Sequence, residues 1–241
     1  MRSIEDILAA FTDDTLLPPI GSKGILILSG GMDSVTLLHF LVKERKCTMS
    51  AISFDYGQKH AKEISFAKKH CEALGVKHHV IALPFIGSLF ESALLETGAA
   101  IPDGHYQEEN MKQTVVPNRN MIMSAIAVGY GQSTGASFLA LGVHAGDHAI
   151  YPDCRAEFVD ALRHAIELSD WNPFTVFAPF QRMTKVEILE IGLQLSPPVD
   201  YGETWTCYKG GEKACGTCGS CQERLEAFAK IGIRDPQGYD K

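Results

Sequence analysis

Five short apolar runs alternate with stretches of helical period along most of this chain, and that alternation limits the fold more than any other feature. Gly24–Leu28 (GILIL), Thr48–Phe54 (TMSAISF), Lys77–Leu83 (KHHVIAL), Phe138–Val143 (FLALGV) and Phe174–Pro179 (FTVFAP) have the length and residue types of buried strands. Between them Val35, Leu38, Leu41 and Val42 recur at three-and-four spacing, as do Ile64, Ala67, Cys71 and Leu74, so each set marks one helix face. Gly75 stands where a left-handed C-cap is wanted. Further helices are expected from about 118 to 133, along the face Phe158, Leu162, Ala165 and Ile166, and behind the capping box Thr184-Lys-Val-Glu187. Strands separated by helices pair in parallel and are covered on both faces, so the expected fold is α/β with a parallel five-stranded sheet.

Two segments break the rhythm. Residues 84–116 show no clear period, and so long a connection in a compact domain is usually functional or mobile. The tail from about 196 carries a cysteine cluster and then a helix striped with Leu225, Phe228 and Ile231, closed by Gly232. The expected organisation is a nucleotide-binding domain over 24–195 and a C-terminal metal-binding module over 196–241. Residues 1–23 form an extension to which no role is assigned.

The composition is that of a soluble globular protein, with 45% hydrophobic and 21% charged residues in 241. A formal net charge of −7 speaks against a protein that coats nucleic acid backbone. The N-terminus has four acids in fourteen residues and lacks the apolar run of a signal peptide. No stretch approaches the roughly 18 apolar residues of a membrane span. The expectation is a cytoplasmic protein with no membrane or nucleic-acid partner.

The chemistry begins at the first strand. Ser29-Gly30-Gly31-Met32-Asp33-Ser34 joins strand to helix at the carboxyl end of the sheet, where open α/β folds bind ligands. Glycines admit an anion close to the backbone, and the free N–H groups of the first helical turn favour negative charge. The common nucleotide loop would supply a lysine, and this one has none. A plain Gly-Gly turn with Ser29 or Asp33 as N-cap is the competing reading.

Near the C-terminus Cys207, Cys215, Cys218 and Cys221 follow the pattern C-x7-C-x2-C-x2-C, with Gly210, Gly211, Gly216 and Gly219 allowing tight turns. Four thiolates at this density suit a closed, structural tetrahedral zinc site. An iron–sulfur cluster is the chemical competitor, and disulfides are disfavoured in a reducing compartment.

The loop SGGMDS resembles the S-G-G-x-D-S loop of the ATP pyrophosphatase family, which cleaves ATP between its α and β phosphates. Combined with the cysteine tail, and with FDYGQKHAKE (54–63), VVPNRNMI (115–122), GDHAIYPDCR (146–155) and TKVEI (184–188), the chain resembles the 7-cyano-7-deazaguanine synthases. The resemblance covers nearly everything after residue 24. It implies an adenine nucleotide α-hydrolase-like fold and a homodimer with one structural zinc per chain. ATP with magnesium would be the cosubstrate. It also implies a reaction in which 7-carboxy-7-deazaguanine is adenylated, aminated by ammonia, adenylated again as the amide, and released as the nitrile. The ATP-binding stretch would be Leu28, Ser29, Gly30, Gly31, Met32, Asp33, Ser34, Val35, Thr36, Leu37 and Leu38, with Asp33 at the magnesium pyrophosphate.

Single residues admit functional and ordinary readings. Arg119 could hold a phosphate or carboxylate in bidentate fashion, or be a solvated arginine. Lys185 lies in a helix's first turn, where the dipole disfavours a cation, which points to an anionic partner such as a phosphate. Asp33, Arg119 and Lys185 are the expected catalytic set. Asp55, Asp147 and Arg155 lie after strand ends and could contact substrate, cap turns or form surface ion pairs. Cys154 is a possible nucleophile but more simply a small packed residue, as are Cys47 and Cys71. His78 and His79 are adjacent on a strand, so they point to opposite faces and do not make a second metal site. Three rival functions stand beside this one, the last of which would need a degenerate loop where the loop here is intact. They are a tRNA sulfur transferase, an enzyme joining the same carboxylate to a protein amine, and a non-enzymatic nucleotide-binding module.

Overall fold

The computed structural model describes residues 1–13, 15–105 and 108–240. The aperiodic connection includes Tyr106 and Gln107, which lie outside the described residues. Strands β1 (Lys23–Ile27), β2 (Thr48–Asp55), β3 (Lys77–Ala82), β4 (Phe138–Ala140) and β5 (Thr175–Phe177) form one sheet in the order β3-β2-β1-β4-β5. Every pairing is parallel, as the strand–helix alternation requires. β4 and β5 are three residues each and shorter than their apolar runs. Beyond Ala140 the chain passes beneath the start of the helix Met32–Lys43, where a Cβ on Gly142 would stand 3.2 Å from Ser34 Cα.

Strand alternation sorts the core into two layers. Ile25, Ile52, Leu139 and Val176 face one side, against Met123, Ala127, Val159 and Leu162. Those residues come from α5 (Arg119–Ser133) and α6 (Ala156–Glu167). Leu26, Ala51, Phe138 and Ala140 face the other side, where Leu37, Ala67, Ile188 and Leu189 pack on them. These belong to α2 (Met32–Lys43), α3 (Glu63–Leu74) and α7 (Lys185–Gln194). Helices therefore cover both faces. Gly75 caps α3 at φ 64°, and Thr184 with Glu187 forms the capping box that opens α7. His78 and His79 face opposite ways, the first bonded to Ser53 and the second to Tyr130.

The extension and the aperiodic connection both hold structure, the first along the helical stripe Ile4, Ile7, Leu8 and Phe11. Residues 4–11 form α1 (Ile4–Phe11), capped by Ser3, with Ile7 fully buried and Arg2 paired to Glu187 and Glu190 at 2.7 Å each. Residues 84–116 contain α4 (Pro84–Leu89) and a 3₁₀ turn over Glu109–Thr114. α8 (Gly219–Lys230) carries the last two cysteines of the cluster at or beside its start. No described helix is long and apolar enough to cross a membrane.

Candidate active site

The strand order reverses between β1 and β4, and a crevice at the carboxyl ends of strands is expected at such a point. Two adjoining cavities lie there, of about 200 and 190 Å³, sharing Ile27, Ser29, Arg119, Asn120 and Tyr208 as walls. They form one cleft with two ends. Phe54, Tyr56, His60, Glu63 and Met123 line the β1–β2 end. Asp33, Ser34, Gly142, Asp147, Tyr151 and Cys154 line the β1–β4 end.

The glycine-rich loop forms the floor between them. Ser29 Oγ lies 3.0 Å from Ser34 Oγ and accepts the Gly31 N–H at 3.2 Å, so the two serines brace the turn. Gly30 has φ +97°, and a Cβ there would fall 2.1 Å from the Glu63 carbonyl oxygen. Only glycine permits that approach of α3 to the loop. The N-terminus of α2 opens at Met32, giving the free N–H groups an anion would use.

Asp33 projects from the first turn of α2 onto Lys185, whose Nζ lies 2.7 Å from Asp33 Oδ2 and 3.3 Å from Glu223 Oε2. Burial works to raise the Asp33 carboxyl, but the Lys185 ammonium, with His144 behind it, outweighs burial and holds the group below the usual carboxylate value. The Lys185 side chain is 4% exposed. Burial opposes its charge, yet Asp33 and Glu223 together hold its pKa above the ordinary lysine value. The cation misplaced at a helix start thus has its anionic partners within the chain, two carboxylates from α2 and α8. Asp33 Oδ1 is buried and has no hydrogen-bond partner among the described residues. His144 Nε2 bridges Asp33 and Asp147 at 3.7 and 3.6 Å, while Asp147 Oδ2 accepts the His144 backbone N–H. Asp147 therefore both caps a 3₁₀ turn over Ala145–Ala149 and stands at the cleft.

Arg119 is the first residue of α5, half-buried rather than solvated. It donates one hydrogen bond to Tyr56 Oη at 3.1 Å and lies 5.9 Å from the ring centres of Tyr56 and Tyr151. Asp55 and Arg155 do not line the cleft. Asp55 is exposed and accepts from the Gly57 N–H, and Arg155 is exposed with Nε on the His148 carbonyl. Cys154 is buried and accepts from Asn120 Nδ2 at 3.3 Å, and burial pushes its thiol well above the usual value. That environment disfavours a thiolate nucleophile.

Tyr56, His60, Glu63, Met123 and Tyr208 complete the cleft without having been singled out from sequence. Their signal was the run FDYGQKHAKE after a strand end, and an aromatic next to Cys207. Glu63 is 12% exposed on its side chain and its Oε1 stands 3.6 Å from His60 Nε2. Burial pushes its pKa up to about 8, against the charge of Arg119 and a hydrogen bond from Gln58. Burial likewise pushes His60 down to about 3, so it is neutral.

Cys207, Cys215, Cys218 and Cys221 converge so that all four sulfurs lie within 4.8 Å of one another. Sulfurs held tetrahedrally 2.3 Å from one ion stand about 3.8 Å apart, and the Cys215 and Cys221 sulfurs are 3.9 Å apart. Backbone N–H groups of Cys215, Thr217 and Cys218 point at Cys207 or Cys215 sulfur at 3.3–3.4 Å, which suits thiolates. This group could hold one metal ion. The tail does not stand apart from the domain. Trp205 N–H donates to the Gly30 carbonyl at 2.9 Å, Tyr201 Oη is 2.8 Å from Thr36 Oγ1, and Tyr208 reaches the cleft.

Comparison with known proteins fits this arrangement. The model of the family described as queuosine biosynthesis protein QueC matches residues 23–232. This chain belongs to the QueC family. A 7-cyano-7-deazaguanine synthase of Caldicellulosiruptor saccharolyticus is 52% identical over 218 residues, covering 90% of this chain and 96% of that protein. One of Hahella chejuensis is 50% identical over 229 residues, covering 95% and 96%. Among solved structures, the NMN synthetase of Francisella tularensis aligns with TM-score 0.54 at 14% identity, over 96% of this chain and 85% of that one. A U34-tRNA thiolase, NcsA of Methanococcus maripaludis, aligns with TM-score 0.50 at 16% identity, over 95% and 72%. At such identities these two speak for the shared fold alone. The family match begins at β1, so α1, which packs on α7, lies outside it.

Proposed function

We propose that this QueC-family chain is a 7-cyano-7-deazaguanine synthase, an ATP-dependent C–N ligase that turns 7-carboxy-7-deazaguanine and ammonia into the nitrile. The observation that carries the reading is the lysine-free glycine loop at the switch point, with Asp33 and Lys185 paired beside it. A carboxylate is inert to ammonia because it is an anion with no leaving group. Attack of its oxygen on the α-phosphorus of ATP expels pyrophosphate and makes AMP the leaving group. Ammonia then displaces AMP to give the amide. The amide oxygen attacks a second α-phosphorus, and loss of AMP and two protons leaves the nitrile.

The chain's own groups suit each demand. The loop N–H groups and the α2 N-terminus receive the departing pyrophosphate. Lys185 exchanges its carboxylate partners for phosphate oxygens, and its burial makes that exchange strong. Asp33, whose Oδ1 is unpartnered, and Asp147 are the groups to hold magnesium, which when bound neutralises phosphate charge. Arg119 supports the carboxylate or the α-phosphate. Asp55 and Arg155 act on the strand-end loops rather than on substrate. The four cysteines hold zinc, a structural ion with no open position; a four-iron cluster needs its cysteines spread over separate irons rather than closed on one point. Residues 24–195 form the nucleotide-binding domain, with 196–241 as the zinc module packed on it. The protein is a cytoplasmic homodimer acting on small molecules, with no nucleic-acid or membrane partner. Buried Cys154, with no second thiol beside it, disfavours sulfur transfer.

The test is a pair of variants. Asp33→Asn and Lys185→Met should each lower substrate-dependent AMP formation by about 10²-fold or more while leaving the zinc content at one per chain. Retention of more than a third of the rate in both would remove the loop chemistry from the account.

A further inference from the structure

Lys185 has one carboxylate on the cleft side and one away from it. Asp33 lines the β1–β4 end of the cleft and stands 2.7 Å from Lys185 Nζ. Glu223 does not line the cleft. It reaches Lys185 at 3.3 Å from α8 and lines, with Gly146, Thr184 and Lys185, a separate cavity of about 150 Å³. Its carboxylate occupies a place that glycine leaves open, because a Cβ on Gly146 would fall 2.1 Å from Glu223 Oε1. Glu223 Oε2 is buried and has no hydrogen-bond partner among the described residues, so the Lys185 ammonium is what compensates its charge. The cavity beside the pair gives the two side chains room to part. We propose that Glu223 is a positioning residue that competes with phosphate for Lys185, drawing the ammonium back and so speeding the departure of pyrophosphate from the loop.

This inference rests on the proposed function, in which Lys185 grips phosphate and each base consumes two ATP. Two pyrophosphates must then clear the same loop before one nitrile is made. A buried ammonium on a polyanion would hold it long, since charge pairs strengthen where water is excluded. Each time phosphate takes Lys185, Glu223 is left buried without its cation, which is costly. That penalty is relieved when pyrophosphate leaves and the pair re-forms. Asp33 cannot serve in the same way, because it faces the cleft and the phosphates themselves. Glu226 lines the same small cavity but pairs with His105 at 3.5 Å, so it carries the same charge without the contact to Lys185.

The test measures binding and dissociation of magnesium pyrophosphate with the zinc-loaded wild type, Glu223→Gln, Lys185→Met, the double variant and Glu226→Gln, each checked for folding by its melting temperature. Glu223→Gln keeps the shape of the side chain and should bind pyrophosphate about tenfold more tightly, releasing it correspondingly slowly. Lys185→Met should weaken binding, and in that background Glu223→Gln should change it by less than about threefold. Glu226→Gln should likewise stay within about threefold of the wild type. Glu223→Asp, which keeps the charge, should restore release to near the wild-type rate. Unchanged or weaker binding in Glu223→Gln would overturn the proposal, as would equal tightening with and without Lys185, which would show charge loss alone. A Lys185→Met variant that binds pyrophosphate as well as the wild type would defeat the phosphate role of Lys185 and the inference with it. The expected pattern in a protein that never converts the 7-carboxy base would keep the inference and defeat the proposed function.

Discussion

Arg224 is fully buried, and the integrity of the tail turns on it. Its guanidinium pairs with Asp235 through Nε at 2.7 Å and Nη2 at 2.8 Å. It also reaches Thr204 Oγ1 at 2.7 Å, Thr206 Oγ1 at 3.1 Å and the Tyr201 carbonyl at 2.8 Å. Three of these five bonds tie α8 to the segment that carries Trp205 and Tyr208, and the other two hold Asp235 beyond the helix. Asp235→Ala would leave a buried cation with neutral acceptors only, and breaking a buried pair this way costs about 3–5 kcal/mol. The double variant Arg224→Met with Asp235→Leu removes both charges and fills the space, so it should lose less than the single one. Urea unfolding measures both. Because Trp205 N–H holds the Gly30 carbonyl, Asp235→Ala should also speed hydrogen exchange over 201–208 and weaken binding of an ATP analogue severalfold. A loss below about 1 kcal/mol, or a double variant as unstable as the single one, would refute the view that this pair fixes the tail to the loop.

Chelation of the metal at the four cysteines should melt 207–221 ahead of the sheet, seen as faster exchange there and early loss of substrate binding through Tyr208; a single cooperative transition would contradict this. Gly30→Ala should cost about 2 kcal/mol or more and abolish nucleotide binding, because φ +97° and the Glu63 carbonyl leave no room for a methyl; thermal melts and ATP-analogue titration check it. Glu63 carries its own pH signature. Its folded pKa of about 8 lies above the unfolded value near 4.5, so its contribution to stability is complete below pH 4.5 and lost as pH rises through 8. His60, held neutral, acts in the opposite sense below about pH 6.5, so the comparison must be with Glu63→Gln. Between pH 5 and 8 the free wild type should lose a few kcal/mol relative to that variant, and parallel stability curves would show that Glu63 is not desolvated.

The sequence made the scaffold legible because its signals are local. Apolar runs of five to seven residues between helical periods imply a parallel sheet whatever the details, and Gly75 and Thr184–Glu187 cap helices as their positions predict. The order β3-β2-β1-β4-β5, which creates the cleft between β1 and β4, is a long-range property that no window of sequence carries. The same holds for Lys185. Its place at a helix start pointed to an anionic partner such as a phosphate, whereas the partners within the chain, Asp33 and Glu223, come from 152 residues before it and 38 after it. Glu63 and His60 share the turn that opens α3, but they meet Tyr208 only when α3 packs against the tail, so their grouping is a long-range property. The N-terminal helix was legible all the same: Ile4, Ile7, Leu8 and Phe11 recur at helical spacing behind Ser3 as N-cap.

The most direct measurement follows bases and nucleotides by mass in a mixture of zinc-loaded protein, 7-carboxy-7-deazaguanine, magnesium-ATP and ammonium. The account predicts the nitrile, two AMP and two pyrophosphate for each base consumed. AMP without nitrile would point to an adenylate waiting for another acceptor such as a protein amine, and no AMP at all would contradict the account at its root.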